Sequence, residues 1–89
     1  MNSQQIPQVS LLTRPGCHLC DDAREVVDRV TSELGLGFEA INADEYPELK
    51  AAHDTEIPVV RVNGVPKDFW QINARRLTKI LRTELERAA

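Results

Sequence analysis

The stretch Val9-Ser10-Leu11-Leu12-Thr13-Arg14-Pro15-Gly16-Cys17-His18-Leu19-Cys20 decides how the chain is read. Val9 to Thr13 is a short apolar run of the kind that forms a buried strand. Arg14-Pro15-Gly16 breaks it. The residues that follow are helical in pattern. Leu19, Ala23, Val26, Val27, Val30 and Leu34 recur at spacings of 4, 3, 1, 3 and 4 and trace one helical face. Asp21, Asp22 and Glu25 fall early in that helix, where its dipole favours negative charge. Gly35 and Gly37 end it.

The two cysteines therefore stand at a strand-to-helix junction. A sulfur at Cys17 faces the free amides of a helix N-terminus, which carry partial positive charge and stabilise a thiolate. Arg14 and His18 add positive charge nearby, which acts in the same direction. Cys20 is one turn further on the same face, close enough for a disulfide. The expectation is an accessible Cys17 that attacks a disulfide and a buried Cys20 that resolves the mixed disulfide. A zinc site is disfavoured, because four ligands are normally needed and the chain has two cysteines and two histidines. His18 lies between the cysteines, where it closes a tetrahedron poorly. No metal is expected within one chain.

Working outward, Phe38 to Ala43 reads as a second strand, with Asp44 as N-cap of a short helix through Ala52 that tolerates Pro47 near its start. Ile57 to Val62 reads as a third strand, and Asn63-Gly64 as a two-residue hairpin turn. Pro66 demotes the returning run from Val65 to an edge strand. Asn73 reads as the N-cap of a last helix, with Ile72 and Leu77 as its hydrophobic staple and Leu77, Ile80, Leu81 and Leu85 as its buried stripe. His53 is read as solvated, and Trp70, the only tryptophan, as partly buried core or the border of a substrate groove. The order β-α-β-α-β-β-α implies an α/β fold with a four-stranded mixed sheet. Residues 1–8 are expected to be a flexible segment before a single domain over 9–89.

Composition limits the function classes. The chain has 89 residues, 42% of them hydrophobic and 28% charged, with a net charge of −3 and no basic run. This argues against nucleic acid or an anionic membrane surface as the main partner. No apolar stretch reaches spanning length, and Met1 to Gln8 lacks the basic start and apolar run of a signal peptide. The expected location is the cytoplasm, where a close cysteine pair is more often catalytic or metal-binding than a structural staple.

With these motifs in place, the sequence resembles the glutaredoxin family of the thioredoxin fold from about Val9 to Leu85. The resemblance rests on Thr13-Arg14-Pro15-Gly16-Cys17-His18-Leu19-Cys20 and on Glu56-Ile57-Pro58-Val59. It implies a thioredoxin-like fold and a thiol–disulfide oxidoreductase with Cys17 as nucleophile and Cys20 as resolving thiol. It also implies a cis-proline at Pro58 facing the pair, with the backbone of Ile57 turned toward a substrate main chain. Arg14 stands where the family commonly has a lysine that binds a glutathione carboxylate, and His18-Leu19 replaces the usual Pro-Tyr; Arg14, His18, Ile57 and Pro58 are the expected substrate-binding residues. The family's Gly-Gly followed by Asp is replaced by Val65-Pro66-Lys67-Asp68-Phe69-Trp70-Gln71-Ile72-Asn73. Asp68, Phe69 and Trp70 are expected to crowd glutathione there, and Asp68 to repel its carboxylate. Expected partners are a low-molecular-weight thiol (glutathione or an analogue) or a protein disulfide substrate; no cofactor is expected, and the protein is expected to be a monomer. The alternative is a copper- or iron–sulfur-binding module using the same cysteines. A thioredoxin-like interaction module without turnover also remains open.

Overall fold

The computed structural model describes residues 6–88. Residues 1–5 of the N-terminal segment, and residue 89, lie outside the described residues. Pro7 is already buried. Gln8 is tied into the sheet end, its N–H donating to Asn63 Oδ1 at 2.9 Å and its carbonyl accepting from the Asn63 N–H at 2.7 Å. The folded unit thus begins by Pro7, two residues before the boundary that apolar patterning marks.

Four strands form one mixed sheet: β1 (Val9–Thr13), β2 (Glu39–Asn42), β3 (Val59–Val62) and β4 (Val65–Phe69). Their spatial order is β2-β1-β3-β4. β1 runs parallel to β2, and β3 is antiparallel to both β1 and β4. The helices are α1 (His18–Glu33), α2 (Pro47–His53) and α3 (Ala74–Ala88). Among the described residues, no helix is long and apolar enough to cross a membrane.

Strand alternation divides the core in two. Val9 and Leu11 of β1, with Val60 and Val62 of β3, meet Ala23, Val27 and Val30 of α1 and Leu77 and Leu81 of α3. Ile72 joins the same cluster as Leu77, the pairing expected of a staple at the start of α3. Leu12 and Val59 join Cys20, Ala43 and Ile57 in the second cluster, with Leu49 of α2 packed against it. A Leu or Val side chain buried this completely contributes about 1.5–3 kcal/mol. The second cluster underlies the cysteine turn, so the sulfurs rest on core to which the loop residue Ile57 contributes.

Turn chemistry fixes the joints. Asn63 and Gly64 take φ of 54° and 80°, the two left-handed residues of a type I′ hairpin turn. β4 is an edge strand, as Pro66 requires, and its pairing slips between Val60 and Arg61 so that Lys67 is the extra residue of a bulge. Asn73 caps α3, its Oδ1 accepting from the Arg76 N–H at 2.9 Å.

Several expectations are corrected. Leu19 is 39% exposed, and Cys20, at 3%, supplies the inward side chain of the first turn of α1. Asp44 does not cap the second helix. Asn42 Oδ1 accepts the Asp44 N–H at 2.9 Å and caps a single 3₁₀ turn over Ala43–Glu45, after which Pro47 opens α2. β3 starts at Val59 rather than Ile57, since Ile57 and Pro58 belong to the loop beneath the cysteines. His53 is not solvated: it ends α2, with Nδ1 3.0 Å from Glu56 Oε1 and a side chain only 17% exposed.

Candidate functional site

β1 delivers the chain to Arg14-Pro15-Gly16, and Gly16, at φ 74°, makes the turn that an L side chain would strain. Cys17 then takes the N-cap of α1 with extended backbone, φ −103° and ψ 111°. Its Sγ accepts the Cys20 N–H at 3.1 Å, in the place where a serine or aspartate oxygen usually caps a helix. Sulfur is a weak acceptor as a thiol and a better one as a thiolate, and here it meets a free amide of the first turn of the helix. The 16-residue helix behind it adds the positive end of its dipole.

Both cysteines are free thiols, Cys17 half-buried and Cys20 buried. The Cys20 thiol is pushed up from its ordinary 9.0 to about 11. Burial is the main cause, followed by its hydrogen bond with Cys17. A Cys17 thiolate also repels a second negative charge, while the Arg14 N–H and the Arg14 charge pull the other way. Converting Cys17 to a disulfide removes both of its raising effects and leaves Arg14 in place, which favours ionisation of Cys20 at that moment.

A prediction follows from this asymmetry. Alkylation of the reduced protein at neutral pH, mapped by mass spectrometry, should modify Cys17 first, with Cys20 slower by about a hundredfold or more. Cys20 should gain reactivity only as the pH approaches 11. The linked effect on stability has one sign. Unfolded Cys20 loses its proton first, so the reduced protein loses stability as pH rises from about 9 toward 11. Equal labelling of the two cysteines at neutral pH would contradict the assignment.

The other residues singled out divide as follows. Ile57 is buried in the same cluster as Cys20, with Cys17 packed against it. Pro58 is fully buried beside it, and the Ile57–Pro58 peptide is cis. Arg14 lines a shallow depression of about 280 Å³ with Cys17, Cys20, Arg24 and Asn42. Its Nη1 is 3.2 Å from Asp54 Oδ1, and both side chains are about half exposed. Such a pair contributes at most about 1 kcal/mol and so restrains the guanidinium only weakly. His18 is exposed at the first position of α1 and does not line that depression. Among the described residues, no three His, Cys, Asp or Glu side chains come together as a metal site.

Asp68 does not confront a substrate carboxylate. It is 8% exposed and turned inward. Its Oδ1 accepts from the Phe69 N–H at 3.0 Å and from Arg76 Nη1 at 3.1 Å, and its Oδ2 accepts from the Asn73 N–H at 3.0 Å. Trp70 is neither core nor neutral surface. It sits at φ 60°, is 56% exposed, and is held by two hydrogen bonds. Its N–H donates to the Pro58 carbonyl at 2.8 Å and its Nε1–H to the Thr55 carbonyl at 2.9 Å. A left-handed aromatic residue costs about 1–2 kcal/mol, which those bonds offset. The sequence held one clue: no glycine stands between Phe69 and Asn73, so any positive φ that the turn needs falls on a residue with a side chain.

Comparison with known proteins bears on the family and the fold. The family described as Glutaredoxin-like domain (DUF836) matches residues 8–82. Uncharacterized protein Rv0508 of Mycobacterium tuberculosis is 36% identical over 76 residues, spanning 80% of this chain and 78% of that protein. Among solved structures, protein XcR50 from X. campestris is 28% identical with a TM-score of 0.69, over 84% of this chain and 96% of that one. Protein Ne2328 from Nitrosomonas europaea reaches a TM-score of 0.75 at 20% identity, over 91% and 99% of the two chains. A mutant thioredoxin from Halobacterium salinarum reaches 0.69 at 16% identity, over 93% and 78%. The last two share the fold alone.

Proposed function

The chain belongs to the family of glutaredoxin-like domains, and from that premise we propose that it is a thiol–disulfide oxidoreductase with Cys17 as nucleophile and Cys20 as resolving thiol. The observation that carries this reading is the Cys17 sulfur at the N-cap of α1, accepting the Cys20 N–H at 3.1 Å. In the first step the Cys17 thiolate attacks one sulfur of a substrate disulfide. A Cys17–substrate disulfide forms, and the other half leaves as a thiolate that takes a proton from water. In the second step Cys20 gives up its proton and attacks Cys17 Sγ. The Cys17–Cys20 disulfide forms, and the second substrate thiolate leaves and is protonated. Two electrons have passed from the protein to the substrate. Two equivalents of a low-molecular-weight thiol return them, becoming that thiol's disulfide.

Cys20 suits the second role because it loses two causes of its raised pKa once Cys17 is bonded. Arg14 offers an exposed guanidinium for a carboxylate of substrate or reductant. Glutathione itself fits poorly, since the indole of Trp70 stands where a bare turn would admit its charged end.

The test is redox cycling of the purified chain. Thiol titration should count two thiols after reduction and none after oxidation by a small disulfide, and a thiol reductant should restore both. A pair that fails to cycle, in protein that carries stoichiometric iron or copper, would reverse the reading in favour of a metal-binding module. With glutathione as reductant, turnover of a mixed disulfide is expected to be slow at ordinary cytosolic levels compared with a thioredoxin-reductase system.

A further inference from the structure

Trp70 and Leu19 are two of the five large hydrophobic residues found exposed among the described residues, at 56% and 39%. They share one groove. Leu19, Asp22 and Val26 of α1 line it on one side and Trp70, Gln71 and Ile72 on the other, around about 280 Å³. Scattered apolar residues on a surface need no explanation, but two that line one concave site along the helix that Cys17 caps do. From Leu19 to Val26 the groove follows α1 for about 10 Å, at 1.5 Å per residue. Leu19 is two residues beyond Cys17.

The groove is also joined to the sulfurs through the loop below them. Trp70 is bonded to both Thr55 and Pro58. Ile57, between those anchors, packs with Cys20 and Cys17. The left-handed backbone at Trp70 presents the indole outward rather than into the core. A conformation that a tryptophan rarely adopts, kept in place by two hydrogen bonds at the edge of a reactive site, points to use rather than accident.

Resting on the thiol–disulfide reading above, we propose that Leu19 and Trp70 bind an apolar side chain flanking the reactive cysteine of a polypeptide disulfide. The occupant is apolar because five of the seven lining residues are. It is not anionic, because Asp22 in the lining repels a carboxylate. A polypeptide meets both conditions: it brings a neutral backbone across the Ile57 loop and a side chain into the groove. A small anionic disulfide has neither.

The experiment uses two synthetic peptides, each with one cysteine held as a mixed disulfide with a chromophoric thiol. One carries phenylalanine beside the cysteine and the other glutamate. The wild type should favour the phenylalanine peptide by about tenfold in kcat/KM, the size expected for one well-placed apolar anchor. Trp70→Gly, which also relieves the backbone, should bring that ratio close to one. Trp70→Phe should restore most of it. Leu19→Asn, at an exposed position, provides a second route to the same collapse if Trp70→Gly folds badly. The ratio cancels any loss common to both peptides, so a merely structural role would not move it. Trp70 is the only tryptophan. In Cys20→Ser, trapping the phenylalanine peptide on Cys17 should therefore shift the protein's fluorescence, and trapping the glutamate peptide should shift it less. A wild type that reduces both peptides without preference, or a preference that survives Trp70→Gly and Leu19→Asn, overturns the groove and leaves disulfide exchange standing. A wild type that reduces neither peptide nor hydroxyethyl disulfide overturns both.

Discussion

Replacing Cys17 with serine should lower disulfide turnover by at least about a thousandfold, because a hydroxyl neither ionises at neutral pH nor attacks sulfur as a thiolate does. The same substitution should leave the fold intact. Cys17 occupies the N-cap of α1, and serine is a preferred residue there, with an oxygen well suited to the Cys20 N–H that the sulfur now accepts. Some apolar contact with the Ile57 cluster is lost, so stability should stay within about 1 kcal/mol of wild type. Cys20→Ser should behave in the opposite way. Its hydroxyl enters the cluster of Leu12, Ile57 and Val59, which costs roughly 1–3 kcal/mol. The first chemical step survives, and the mixed disulfide on Cys17 accumulates. Turnover and thermal unfolding measured on both variants separate the roles. Residual turnover above about a hundredth in Cys17→Ser would sink the nucleophile assignment.

The parts of the fold that the sequence makes legible are those where one residue type answers one backbone demand. Asn63-Gly64 meets the two left-handed positions of the hairpin, Pro66 marks the edge strand, and Asn73 caps α3. The cysteine turn is legible for the same reason, since a broken apolar strand followed by helical spacing leaves Cys17 little choice of position. The face of α1 was less legible. Leu19-Ala23-Val26-Val27-Val30 and Cys20-Ala23-Val27-Val30-Thr31 both fit a helical stripe, and the structure uses the second. A leucine that apolar spacing assigns to the core points out, while a threonine is hidden, its hydroxyl bonded back to the Val27 carbonyl at 2.7 Å. Periodicity carries no sign of that bond. Nor does it reveal that Asn42 rather than Asp44 caps the turn after β2, since both are good caps two residues apart. In the site, Trp70 and Asp68 escaped for a common reason. Their roles depend on bonds to Pro58, Thr55, Asn73 and Arg76 that exist only once the turn after β4 has its shape.

That turn leads to the second large effect expected. Asp68→Ala should destabilise the protein by about 2–4 kcal/mol, the cost of leaving two amides and a guanidinium without their shared acceptor. Asp68 is 8% exposed at the end of β4. One oxygen takes the Phe69 N–H and Arg76, and the other takes the Asn73 N–H just before α3. The carboxylate therefore fastens the strand to the helix across the residues that hold Trp70 in its left-handed conformation. A graded series isolates the cause. Asp68→Asn keeps one acceptor oxygen and should lose about half as much. Arg76→Ala should lose less than about 1 kcal/mol, because that side chain is 58% exposed and the carboxylate keeps its amide donors. Urea unfolding gives the ranking directly, as a fall in midpoint at unchanged slope. If the three variants were equally stable, the bonds around Asp68 would be incidental and Trp70 would owe its conformation to Thr55 and Pro58 alone. If the ranking holds, Asp68→Asn offers a separate check on the groove. A loosened turn should blunt the preference for an apolar peptide without touching Leu19, Trp70 or either cysteine.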